Sequence, residues 1–140
     1  MLSFKLLQKK DAHLICGINE DFRDYKPERV KAFLSEPQNI AFTAELDGKI
    51  IGLIHGYSLT RMDSKAPQFF IYAVDIVPVH QDKGYGSAFI QYVVDWAREH
   101  GFSESFVLTD KDNHRACRVY EKAGMTYSKE DCGRMYEIGY

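Results

Sequence analysis

The apolar residues of this chain change period several times, and the changes divide it into strands and helices. Residues 3–7 alternate enough for a short first strand. Ala12, Ile15 and Ile18 then fall at helical spacing behind Asp11, a residue suited to capping a helix N-terminus. After a polar interval, Pro27 sits well in the first turn of a second helix with Val30, Phe33 and Leu34 as its stripe, and Pro37 stops it. Residues 39–46 and 49–59 are rich in β-branched and aromatic side chains. Asp47-Gly48 between them is a strong two-residue hairpin signal. Gly52 and Gly56 in the second arm predict bulges or close backbone approach.

Residues 68–77 are apolar on both faces apart from Asp75, the pattern of a strand covered on two sides. Pro78 and a polar loop follow, and Gly84-Tyr85-Gly86 opens an amphipathic helix over 87–100 that carries Phe89, Ile90, Val93, Val94 and Ala97. Gly101 stands where a left-handed C-terminal residue is wanted. Residues 104–109 form the next strand, and a strand, helix and strand in this order imply a parallel pair. Another helix, 113–123, ends at Gly124. The tail predicts two last strands, 125–128 and 134–138, around an acidic turn at 129–133. With no internal repeat or linker, residues 1–140 read as a single α/β domain.

Composition narrows the class. Eighteen Lys and Arg against 20 Asp and Glu leave a net charge of −2, which gives no basic face for a nucleic acid. Cys16, Cys117 and Cys132 fit neither a disulfide framework nor a CxxC metal pattern and read as free thiols, so the expected compartment is cytoplasmic. No apolar run has the length of a membrane span, and the N-terminal apolar stretch is too short for a signal peptide.

The chemistry concentrates where the strand over 68–77 meets the glycines. Free N–H groups at a helix N-terminus, aided by the helix dipole, favour a phosphate. A kinase-type P-loop is absent, and a dinucleotide fingerprint would need glycine where Phe89 stands. His13, His55, His80, His100 and His114 are scattered over different elements, so no metal site is expected.

Val74-Asp75-Ile76-Val77-Pro78 followed by Gln81-Asp82-Lys83-Gly84-Tyr85-Gly86 resembles the acetyl-CoA signature of the GNAT N-acetyltransferase family. Asn113, Ala116, Tyr120 and Gly124 stand at the spacing of that family's fourth-helix pattern, with Met125 in place of its final Phe. The likeness is good over residues 38–124 and is closest in feel to the aminoglycoside 3-N-acetyltransferase-like branch. It implies a mixed α/β (α+β) fold: a centrally twisted sheet of six to seven strands with four helices, the fourth and fifth strands parallel and splayed. It further implies acetyl-CoA as cosubstrate, held by Val74, Ile76, Gln81, Asp82, Lys83, Gly84, Tyr85, Gly86, Ser87 and Asn113. A backbone N–H near residues 74–76 becomes the oxyanion donor, and Tyr120 the acid for the leaving thiolate. A phenol suits that role because it stays protonated at pH 7.

The acceptor side is less defined. Asp75 is the only charge inside its strand, and a buried carboxylate there is costly unless partnered, which makes it a candidate base or amine anchor. The branch's own acidic position corresponds to Ala73, one pleat away on the same face. Glu130 and Asp131 match an acidic stretch that could hold a cationic amine, and Phe22 and Tyr25 are candidate pocket residues. The resemblance thus implies direct transfer to a primary amine of a small molecule, aminoglycoside- or polyamine-like. A protein or peptide acetyltransferase and a non-catalytic acyl-CoA-binding module are the alternatives. Homodimers are common in the family, and the expected partners include neither nucleic acid nor membrane.

Overall fold

The computed structural model describes residues 1–17, 20–127 and 135–140. Five strands, β1 (Leu2–Leu6), β2 (Asn39–Leu46), β3 (Lys49–Leu59), β4 (Gln68–Ile76) and β5 (Glu104–Val107), form one sheet in the order β1-β2-β3-β4-β5. The first four make an antiparallel meander. β5 returns parallel to β4 after the long helix between them. Three α-helices, α1 (Pro27–Ser35), α2 (Tyr85–Glu99) and α3 (His114–Lys122), complete the mixed α+β architecture.

The two sheet faces carry different layers. Phe42, Ile54, Phe69 and Ile71 lie under Phe89, Ile90 and Val93 of α2, all of them buried. The opposite face packs Ala41 and Leu53 against Val30 of α1 and against Ala12, Ile15 and Phe22 of the N-terminal connection. The register between β3 and β4 skips from His55↔Ala73 to Gly56↔Ile71, leaving Tyr72 as an extra residue, a β-bulge. Gly56 makes room for it. A Cβ there would stand 2.0 Å from the Phe70 carbonyl oxygen, so no side chain is admissible.

Three sequence expectations change. The first helical segment is a 3-10 helix, Lys9–Leu14, capped by Gln8 rather than by Asp11. Asp11 is its third residue and is buried, accepting the Gln8 amide at 2.9 Å and the Lys5 ammonium at 3.0 Å. Burial pushes its pKa up, but those two bonds outweigh it and hold the carboxyl below its ordinary value. Among the described residues the sheet has five strands against the six to seven expected, because residues 125–127 and 135–140 join no ladder. Tyr136, Ile138 and Tyr140 alternate as a strand would, yet all three side chains are exposed and cover no sheet face. Asp75 is also exposed, so the second half of β4 is open on one side and is not the doubly covered strand its composition suggested.

Candidate active site

β4 and β5 pair only from Gln68↔Glu104 to Ile71↔Val107. Beyond Ile71 the two strands no longer share a ladder, which is the expected splay. The Val77 amide donates to the Ile51 carbonyl at 2.8 Å, toward β3. Backbone groups alternate sides along a strand, so the N–H groups of Val74 and Ile76 turn to the open edge.

The loop after β4 is bent by two left-handed residues, Asp82 at φ 61° and Gly84 at φ 84°. Gly84 is the N-cap of α2 and offers no side-chain cap, so the first-turn N–H groups of α2 have no intrahelical acceptor. Gly86 packs against α3, where a Cβ would meet Val119 at 3.4 Å, an ordinary contact distance. Between β4, this loop and α3 lies a cleft of about 560 Å³. Val74, Ile76, Gln81, Asp82, Gly84, Gly86, Ser87, Asn113 and Tyr120 all line it. Lys83 and Tyr85 do not; Lys83 is exposed, and the Tyr85 ring packs toward His80.

Hydrogen bonds fix the cleft walls. Gln81 donates to the Ile76 carbonyl at 2.8 Å and accepts from Arg115 at 2.6 Å. Arg115 also reaches Asp82 at 3.2 Å, so α3 is tied to the loop. The Asn113 side-chain oxygen accepts the Ala116 amide at 3.2 Å, which makes Asn113 the cap of α3 as well as a wall residue. Arg118 and Lys122 line the same cleft, and neither has an ion-pair partner among the described residues. These cations escaped the sequence reading. Their signal was there, since positions 115, 118 and 122 share one face of a helix. A diphosphate fits this donor set: unpaired helix-terminal amides beneath two available cations.

Asp75 and Tyr120 belong to one electrostatic neighbourhood. Burial pushes the Tyr120 phenol above its ordinary value, with Cys117 and the Asp75 charge adding to the effect. Tyr25 is pushed up by burial and again by Asp75. Burial pushes the His55 imidazole down, and the Asp75 charge opposes it. The carboxylate's charge is therefore felt both by Tyr120 in the cleft and by Tyr25 and His55 on the face under α1. The register partner of Asp75 is Leu53, and Ala73 on the same face lies opposite His55. His55 was not distinguished from the other histidines by sequence, because only the ladder brings it beside Asp75. Glu130 and Asp131 lie outside the described residues.

The sequence profile of the acetyltransferase (GNAT) family matches residues 8–125. The chain belongs to the GNAT family. Acetyl-CoA-dependent N-acetyl transfer is the activity of that family. A probable N-acetyltransferase camello from Xenopus tropicalis is 23% identical over 99 residues, which is 71% of this chain and 44% of the relative; the chain spans less than half of that protein's length. Solved structures share the GNAT fold over nearly the whole chain. An aminoglycoside acetyltransferase from an uncultured soil metagenomic sample, in complex with sisomicin, superposes with a TM-score of 0.81 at 23% identity, covering 99% of this chain and 97% of the other. A ribosomal-protein-alanine N-acetyltransferase from Brucella melitensis gives 0.77 at 18% identity, with both chains covered completely. As a GNAT domain the chain has no described helix long and apolar enough to cross a membrane.

Proposed function

We propose that this GNAT protein transfers the acetyl group of acetyl-CoA directly to a primary amine of a small molecule. The observation that carries this reading is the single cleft in which the glycine loop, the open edge of β4 and Tyr120 meet. The first-turn amides of α2 with Arg118 and Lys122 hold the diphosphate, and the Val74 and Ile76 amides hold the pantetheine and the developing oxyanion. The amine nitrogen attacks the thioester carbonyl carbon, so a C–N bond forms and the C–S bond breaks. Tyr120 gives its proton to the departing sulfur, and its raised pKa keeps it protonated for that purpose. The acceptor ammonium first loses one proton to solvent; Asp75 anchors the resulting neutral amine and takes up the second proton, which the nitrogen sheds on becoming an amide. Cys16 and Cys117 are free thiols, which fits a reducing, cytoplasmic setting.

The openness of β4 at Tyr72, which is 61% exposed, favours a second reading in which a peptide N-terminus is the acceptor. A non-catalytic acyl-CoA-binding module is disfavoured, because a binder has no use for a protonated phenol in the cleft. The test is release of free thiol from acetyl-CoA with a panel of small amines and of peptides. Release with small amines supports the proposal, release with peptides alone supports the second reading, and release with neither overturns both.

A further inference from the structure

A second cavity, of about 200 Å³, lies on the other side of β4's neighbour β3, under α1. Val30 and Phe33 of α1 form one wall, Leu53 and His55 of β3 the other; Tyr25 and Asp24 border it from the N-terminal connection. The Phe33 ring stands edge-on to the His55 ring at 5.5 Å between centroids, so two π-systems line one end. Leu53 is the ladder partner of Asp75. Asp75 is not part of the lining, but it lies across the ladder from it, on the strand whose Val74 and Ile76 line the larger cleft.

We propose that this cavity holds the apolar body of the acceptor, a primary amine borne on a ring-sized aromatic or compact apolar group. The inference rests on the acetyl-transfer reading and names its substrate class. Size argues for it. An apolar cavity of about 150 Å³ accommodates benzene, whereas drug-sized ligands occupy roughly 300–1,000 Å³. One ring with a short alkyl arm fits; a multi-ring aminoglycoside does not. Polarity agrees, because apolar walls leave the hydroxyls of a sugar without partners, at a cost in affinity. Charge agrees as well. An ammonium on a two-carbon arm is drawn to Asp75 and to the π faces around it; the rim adds no net attraction, since Asp24 there is paired with Arg23 at 4.0 Å and the exposed Arg29 also lines the cavity.

The experiment compares phenethylamine, spermidine and sisomicin with acetyl-CoA by thiol release, and measures phenethylamine binding directly by calorimetry. Two variants accompany the native protein. Phe33→Ala removes a wall, and Leu34→Trp fills the cavity from α1, so that a folding failure in one leaves the other informative. The expected result is a kcat/KM for phenethylamine at least about 10-fold above the polyamine and the aminoglycoside. Leu34→Trp and Phe33→Ala are each expected to weaken phenethylamine binding, and to raise its KM, about 10-fold while the KM for acetyl-CoA stays unchanged. Preference for spermidine or sisomicin, or phenethylamine binding untouched by Leu34→Trp, overturns the inference but leaves acetyl transfer standing. Cavity-dependent binding with no thiol release from any amine keeps the ligand class and overturns the acetyl-transfer reading. No binding and no turnover overturns both.

Discussion

The side-chain amide of Gln81 donates to the backbone carbonyl of Ile76 at 2.8 Å, and this bond fixes the glycine loop to the end of β4. The two halves of the cleft are thereby set in one frame: the helix-terminal amides on one side, the open strand edge on the other. The same side chain accepts from Arg115, so α3 is fixed in that frame too.

Gln81→Leu keeps the volume and removes both bonds. Each such bond is worth about 1 kcal/mol, more where one partner is charged. The KM for acetyl-CoA is expected to rise about 10-fold, with kcat changed by less than about 3-fold. Steady-state kinetics in acetyl-CoA at saturating amine checks the split; an unchanged KM would mean that the loop holds its shape without Gln81.

Tyr120→Phe removes the phenol and little else. Loss of a general acid is expected to lower kcat by about 100-fold while acetyl-CoA still binds. Because the folded-state pKa lies above the ordinary phenol value near 10, native activity should show no loss attributable to Tyr120 below that value. The acid is lost only as pH rises through the raised pKa. A pH profile of kcat for both proteins checks this, and a variant with native kcat contradicts the assignment.

Gly56→Ala places a methyl group 2.0 Å from the Phe70 carbonyl oxygen, which forces the bulge at Tyr72 to move. A loss of about 3 kcal/mol is expected, or a Tm lower by about 10 °C. Thermal unfolding followed by circular dichroism measures it.

His55 makes stability depend on pH in a stated direction. Burial depresses its folded-state pKa, so the unfolded chain binds the proton more readily. The contribution is complete above the unfolded value near 6.5 and is lost as pH falls through that value toward the folded one. His55→Phe removes this dependence. Urea midpoints at pH 7.5 and 5.5 should therefore differ more for the native protein than for the variant.

The parts of this molecule that sequence made legible are those encoded locally. Gly84, Gly86 and the apolar run before them place a helix N-terminus at the end of a strand whatever the rest of the chain does, and Asp47-Gly48 turns its hairpin as expected. What was not legible depends on partners distant in sequence. The exposure of Asp75 follows from which face of β4 has a covering layer, and strand composition does not record that. The tie from Arg115 to Gln81 spans 34 positions, and His55 meets Asp75's face only through the β3–β4 ladder. Asp11 had the residue type of a helix cap, but its carboxylate serves Lys5 and Gln8 from the third position.

The central claim is direct transfer inside the cleft that Tyr120 lines. A rapid-quench single turnover with acetyl-labelled acetyl-CoA and a saturating small amine tests it most directly. Label is expected to pass from the thioester to the amine in one phase, one free thiol per amide, with none on the protein. Label that accumulates on a cysteine, or that stays on the coenzyme with every amine although binding is saturated, would contradict it.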